Sequence, residues 1–181
     1  MGEIVILSGS PSETSRSDAV LRYMGSWLRK EGFTIKHISI KDVQVEVLFN
    51  GDYQHDDIQS IASLLQTAKG VVVGSPVYKA AYTGVLKALL DILPQDVLKD
   101  TPVFPVMTGG SHSHVLAIEY TLKPVLATLK GESIQGVYLS DDQVDKQQIE
   151  QPITDELIIK RIKHQLALFV EKVNAKHSVT I

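Results

Sequence analysis

The 181-residue chain contains no cysteine. That absence excludes a disulfide, a thiolate metal site and a cysteine nucleophile, and it fits a reducing compartment. The chain also lacks any apolar stretch near the ~20 residues needed to cross a bilayer: its first apolar run, Ile4 to Leu7, stops at Ser8. No basic segment followed by a long apolar core is present, so no secretory leader is expected. Nor is there an excess of positive charge. Eighteen Lys and Arg stand against 21 Asp and Glu, a formal net charge of −3, which argues against broad electrostatic binding to nucleic acid. The expectation is a cytoplasmic protein, off the membrane, whose partners are small molecules or other proteins.

Several chemical signatures are missing too. No Gly-x-Gly-x-x-Gly occurs, no Gly-Lys-Ser/Thr follows Gly9, and no Gly-x-Ser-x-Gly elbow surrounds a serine, so the dinucleotide fingerprint, the ATP-type P-loop and the serine-hydrolase turn are all excluded. His112 and His114 lie two positions apart with no carboxylate beside them. First-row metal sites need three or four convergent ligands, so no metal is expected.

What is present is an alternation. Ile4 to Leu7, Phe33 to Ile40, Val71 to Ser75, Val103 to Thr108 and Ile134 to Ser140 read as strands. The first, third and fourth are almost continuously apolar, as strands covered on both faces require. Between them run helical stripes: Val20, Met24, Trp27 and Leu28; Ile58, Ile61, Leu65 and Ala68; Val85, Leu86, Leu89 and Leu93. A fourth helix is expected over about Val115 to Lys130, and a last one carries Ile158, Ile162, Leu166, Phe169 and Val173 at helical spacing. Strands alternating with helices predict an α/β three-layer sandwich of the flavodoxin-like kind, with a five-stranded parallel sheet in order 2-1-3-4-5. A single domain over residues 1–174 is expected, with 175–181 a mobile tail. Asp42 to Asp57 and Ser140 to Asp155 read as loops.

In such sheets ligands bind beyond the carboxyl ends of the strands. Three loops meet there. The first, Ser8 to Ser17, is Ser-Gly-Ser-Pro-Ser-Glu-Thr-Ser-Arg-Ser. A strand that ends in small hydroxyl residues and feeds a helix aims N–H groups, hydroxyls and the positive dipole end at one point, a cradle for a phosphate monoester. Ser15 or Ser17 also suits a plain helix cap. Arg16 favours the cradle, because a cation in the first turn opposes the dipole unless an anion lies near. The second loop, Ser75 to Gly84, offers Tyr78 and Tyr82 as walls for a flat ring, or as cover for the sheet end. The third, Met107 to His114, has Gly109 and Gly110 where closely spaced N–H groups can meet a ring carbonyl.

Gly-Ser-Pro with Ser-Arg-Ser at 9–17, Pro-Val-Tyr-Lys-Ala-Ala-Tyr-Thr-Gly at 76–84, and Thr-Gly-Gly at 108–110 together resemble the NADPH-dependent FMN reductase family. Leu86, Lys87 and Asp91 continue the second motif, and Tyr120 with Leu122, Lys123, Pro124 and Val125 matches the family's alkanesulfonate-utilisation branch, SsuE. The resemblance implies that Ser10, Ser15, Arg16 and Ser17 bind the FMN phosphate. It implies that Pro76, Val77, Tyr78 and Lys79 flank the isoalloxazine, while Thr108, Gly109 and Gly110 meet its edge. Ser12 stands where many relatives carry Arg. Also implied are NADPH as hydride donor, direct transfer without a catalytic side chain, a homo-oligomer (dimer or tetramer), and release of reduced flavin to a monooxygenase such as one acting on alkanesulfonates. An FMN-retaining quinone or azo reductase, or a flavodoxin-type carrier, is the alternative.

Pro124 adds a physical hint. It lacks the N–H that would bond the carbonyl of Tyr120, so a helix running through both must kink, divide or widen. A π-type insertion at Tyr120 is one solution. In the resembled branch this tyrosine lies on a π-helix at the subunit interface and is associated with flavin exchanged as substrate.

Overall fold

The computed structural model describes residues 2–178. The apolar runs form one parallel sheet of β1 (Glu3–Ser8), β2 (Thr34–Ser39), β3 (Gly70–Pro76), β4 (Pro102–Gly109), β5 (Glu132–Ser133) and β6 (Val137–Ser140). Its order is β2-β1-β3-β4-β5, and β6 pairs with β4 further along. The flavodoxin-like order read from the sequence is present. Val5, Leu7, Val71 and Val73 face one side while Ile4, Ile6 and Val72 face the other, the period-2 alternation of a doubly covered sheet.

Each face carries its own core. On one, α1 (Arg16–Lys30) and α6 (Glu156–Ser178) bury Val20, Met24, Leu28, Ile162, Leu166, Phe169 and Val173. Phe169 meets Phe104 of β4 with ring centroids 5.9 Å apart, within the favourable range for a tilted aromatic pair. On the other, α3 (Asp56–Thr67), α4 (Gly84–Ile92) and α5 (Lys123–Thr128) contribute Ile58, Ile61, Leu65, Leu86, Leu89 and Leu126. Val85, placed by its spacing in the same stripe, is instead exposed. Among the described residues no helix is long and apolar enough to cross a membrane.

The fifth strand position differs from the single run expected over Ile134 to Ser140. β5 pairs at Pro102 and Val103, and β6 resumes only at Val106. Between them on β4 stands Pro105, which has no N–H to give a neighbouring strand, so the ladder breaks. The chain detours there through Gly136 at φ +81°, where a Cβ would come within 2.7 Å of the Pro105 carbonyl.

Two expected loops contain more order. Within 42–57, α2 (Val45–Asn50) forms and ends at Gly51 in the left-handed conformation, the usual stop for a short helix. The segment 140–155 holds a 3-10 turn at Asp141–Gln143, a further turn closed by Gln148 N–H donating to the Asp145 carbonyl at 3.1 Å, and a bridge between Val144 and Ile153. The expected tail after Asn174 begins within α6, which continues to Ser178; residues 179–181 lie outside the described residues. The fourth expected helix is composite: a 3-10 turn at His112–His114, a π-helical turn at Ile118–Leu122, then α5.

Candidate functional site

The three loops leave β1, β3 and β4, which are adjacent in the sheet, so their carboxyl ends bring them together. Hydrogen bonds lock them to one another. Gly9 N–H donates to the Gly74 carbonyl at 2.7 Å. The Thr83 hydroxyl donates to the Gly9 carbonyl at 2.6 Å and accepts from Leu86 N–H at 3.2 Å, while Thr83 N–H donates to Ser75 Oγ at 3.0 Å. Thr83 thus caps α4 and ties the first loop to the second. Val77 N–H donates to the Thr108 carbonyl at 2.7 Å, joining second and third. Tyr138 of β6 donates its hydroxyl to the Ser111 carbonyl, and burial pushes its pKa up.

At the first loop, Ser15 is the N-cap of α1, its oxygen accepting from Asp18 N–H at 3.4 Å and lying 2.8 Å from the Ser17 hydroxyl. The simple-cap reading of Ser15 is therefore correct as far as it goes. The cap takes only one of the N–H groups that a helix start leaves without intrahelical partners, and those of Arg16 and Ser17 precede it. Ser10 is buried at the strand end, its oxygen accepting from Ser12 N–H at 3.3 Å. Arg16, whose place in the first turn calls for an anion nearby, has one within its own chain: its Nε donates to the Asp141 carbonyl at 3.1 Å and its Nη1 stands 3.7 Å from the Asp141 carboxylate. Two lysines brace the loop. Lys146 Nζ donates to the Thr14 carbonyl at 3.4 Å, and Lys41 reaches the Ser12 carbonyl at 3.5 Å and the Glu13 carboxylate at 3.4 Å.

The second loop turns tightly. Tyr78 and Ala81 exchange backbone hydrogen bonds of 2.8 and 3.2 Å around Lys79 (φ +50°) and Ala80 (φ +67°). Two consecutive positive φ values are the pattern of a type I′ turn, which favours Asn-Gly, so Lys-Ala holds it under strain. The double substitution Lys79→Asn, Ala80→Gly is expected to stabilise the fold by about 1 kcal/mol. Thermal unfolding checks this, and a lower melting temperature would show an unstrained turn. Pro76 and Val77 are half-buried, whereas Tyr78 and Lys79 are exposed, Tyr78 by 48%.

In the third loop Thr108 is buried and Gly109 has no room for a side chain: a Cβ would lie 2.8 Å from Tyr138 Oη and 3.1 Å from Val77 Cβ. Gly110 is exposed, with a Cβ position 3.7 Å from the nearest Asp141 carboxylate oxygen. Its smallness leaves the backbone open rather than serving packing. His112 and His114 join no group of three metal-ligating side chains among the described residues. Beyond the loops, Tyr120 is 76% exposed on the π-helical turn, where Lys123 N–H reaches back five residues to the Ile118 carbonyl. The widening expected from Pro124 is present.

Thr83, Asp141, Lys41, Lys146 and Tyr138 belong to this site and were not singled out from the sequence. Thr83 alone had a local signal, a threonine before the first helical residue, Gly84.

An open parallel sheet in this order, with a hydroxyl-lined helix start after β1 and a tyrosine loop and a glycine loop at its edge, defines a flavodoxin-like mononucleotide-binding protein. The sequence pattern of NADPH-dependent FMN reductase matches residues 3–146. The chain belongs to that family of oxidoreductases. It is 40% identical over 142 residues to an FMN reductase (NADPH) of Pseudomonas putida KT2440, covering 78% of this chain and 72% of the relative. An FMN reductase (NADPH) of Escherichia coli K12 is 39% identical over 142 residues, covering 78% and 74%. The crystal structure of an apo NADH:FMN oxidoreductase, EMOB, superposes with a TM-score of 0.80 at 31% identity, covering 93% of this chain and 88% of that one.

The residues present fit FMN. The cap of α1 leaves N–H groups and hydroxyls for a phosphate, and Gly110, exposed and without a side chain, leaves its backbone uncovered beside the buried Gly109.

Proposed function

We propose that this protein reduces FMN with NADPH and takes the flavin as an exchangeable substrate. The observation that carries the reading is the hydrogen-bonded junction of three loops, with the serine-capped start of α1 at one end and the exposed Gly110 at the other. In this reading Ser10, Ser15, Arg16 and Ser17 hold the phosphate, and Pro76, Val77, Tyr78 and Lys79 wall the ring. Thr108 positions the second loop through its carbonyl, while the N–H groups of Gly109 and Gly110 face the ring edge and favour negative charge there. The redox chemistry belongs to the bound flavin and nicotinamide. The chain's task is alignment and exclusion of water, so no side chain acts as acid or base.

Tyr120, exposed on its π-helical turn, supports exchange rather than retention through the likeness to the branch in which that tyrosine goes with exchanged flavin. With Leu116 one turn earlier and Val115 beside it, each roughly half exposed, it forms an apolar patch suited to a second copy of the chain. A separate patch of Val45, Phe49 and Val85 borders a groove of ≈ 440 Å³ next to the first loop. Two such patches suit a dimer of dimers. A reduced-flavin-dependent monooxygenase, such as one acting on alkanesulfonates, would be the consumer, and a cytoplasmic location goes with a supply of NADPH.

Initial-rate kinetics test the reading. A ternary-complex pattern with FMN as a saturable substrate is expected. Ping-pong turnover with copurified FMN would favour a quinone or azo reductase that retains its flavin. Tyr120→Ala is expected to change flavin retention and exchange with little change in melting temperature; unaltered flavin binding and turnover would remove its role.

A further inference from the structure

Arg16 stands at the phosphate end of the site already in contact with a carboxylate of its own chain. The Asp141 carboxylate lies 3.7 Å from Nη1. A separate bond, from Nε to the Asp141 backbone carbonyl at 3.1 Å, holds the guanidinium in place whatever the charge on that side chain. The same carboxylate is 3.7 Å from the Cβ position of Gly110, so it reaches from the first loop to the third. Arg16 and Asp141 side chains are 38% and 42% exposed, which places the pair at the mouth of the site.

We propose that Asp141 sets the affinity for the phosphate: it is a resident anion that shares Arg16 with the incoming phosphate monoester and keeps FMN exchangeable. This rests on the reading that Arg16 and the neighbouring serines hold that phosphate. A phosphate monoester carries about −1.5 to −2 charge near neutrality. Placed on Arg16, it lies within the Debye length of about 8 Å from Asp141, and the two anions compete for one cation. Of the other charges nearby, Asp18 pairs with Arg22 at 2.8 Å and Lys41 with Glu13 at 3.4 Å. Lys146, bonded to Thr14, keeps its charge and attracts the phosphate equally with or without the Asp141 carboxylate, so it does not mask the difference. Asp141 is a positioning and affinity residue that touches no reacting atom.

Because the backbone carbonyl survives substitution, Asp141→Asn removes the charge without removing the Arg16 anchor. Titrating the full-length chain with FMN and with riboflavin, which has the same ring but no phosphate, separates the two roles. Asp141→Asn is expected to tighten FMN about three- to tenfold, to slow its dissociation, and to leave riboflavin unchanged, with the gain shrinking as salt is raised. Asp141→Ser provides a second test should the first variant fold poorly. Equal changes for both flavins, or weaker FMN binding, overturn the proposal. If the unsubstituted protein prefers FMN to riboflavin and the preference does not move, Asp141 alone is wrong. If the unsubstituted protein shows no preference, the phosphate reading fails and this proposal falls with it.

Discussion

Arg16→Ala is expected to weaken FMN binding by roughly 10- to 100-fold while leaving riboflavin binding nearly unchanged. A hydrogen bond to a charged group contributes about 1.5–3 kcal/mol, more than a neutral one, because the guanidinium fork matches phosphate oxygens. The serine hydroxyls cannot compensate, since the Ser15 and Ser17 hydroxyls lie 2.8 Å apart and Ser15 also accepts from Asp18 N–H. The loss is compounded by Asp141, which would be left unneutralised beside the phosphate. Folding should change little, because Arg16 is partly exposed and its contacts are with the surface turn at Asp141. Fluorescence titration with the two flavins checks this; equal losses for both would assign Arg16 to loop structure instead.

Thr83→Val is expected to destabilise the fold by about 2–5 kcal/mol, or about 5–15 °C in melting temperature for a chain of this size. Thr83 is 1% exposed and its hydroxyl serves the Gly9 carbonyl and Leu86 N–H together. Valine keeps the shape and loses both bonds, so two buried polar groups lose a partner and α4 loses its cap. Because the bond to Gly9 joins the first and second loops, flavin affinity should fall with stability. Thr83→Ser, which retains the hydroxyl, should recover most of both. Thermal unfolding followed by circular dichroism reads the effect, and a change below about 1 kcal/mol would show that the loops are joined by other means.

The sheet order was legible because buried parallel strands write themselves as short apolar runs, and the π-helical turn because Pro124 stands four residues after Tyr120. Both are local patterns. The split of the fifth strand was not legible, since its cause, the missing N–H of Pro105, acts on a segment paired across the sheet. Arg16 was legible as a candidate site residue, but its partner Asp141 lies 125 positions away and Lys146 lies 132 from Thr14; no spacing rule connects residues that meet only through the fold. The Lys79–Ala80 turn was hidden because its residues are not those such a turn favours. Residues 45–50 were too few to display a helical period.

The most direct test is NADPH oxidation by the purified protein, stripped of any flavin, measured with and without added FMN, FAD or riboflavin. Oxidation that depends on FMN, saturates with it and releases reduced flavin into solution is the expected result. No nicotinamide oxidation with any flavin would contradict the account.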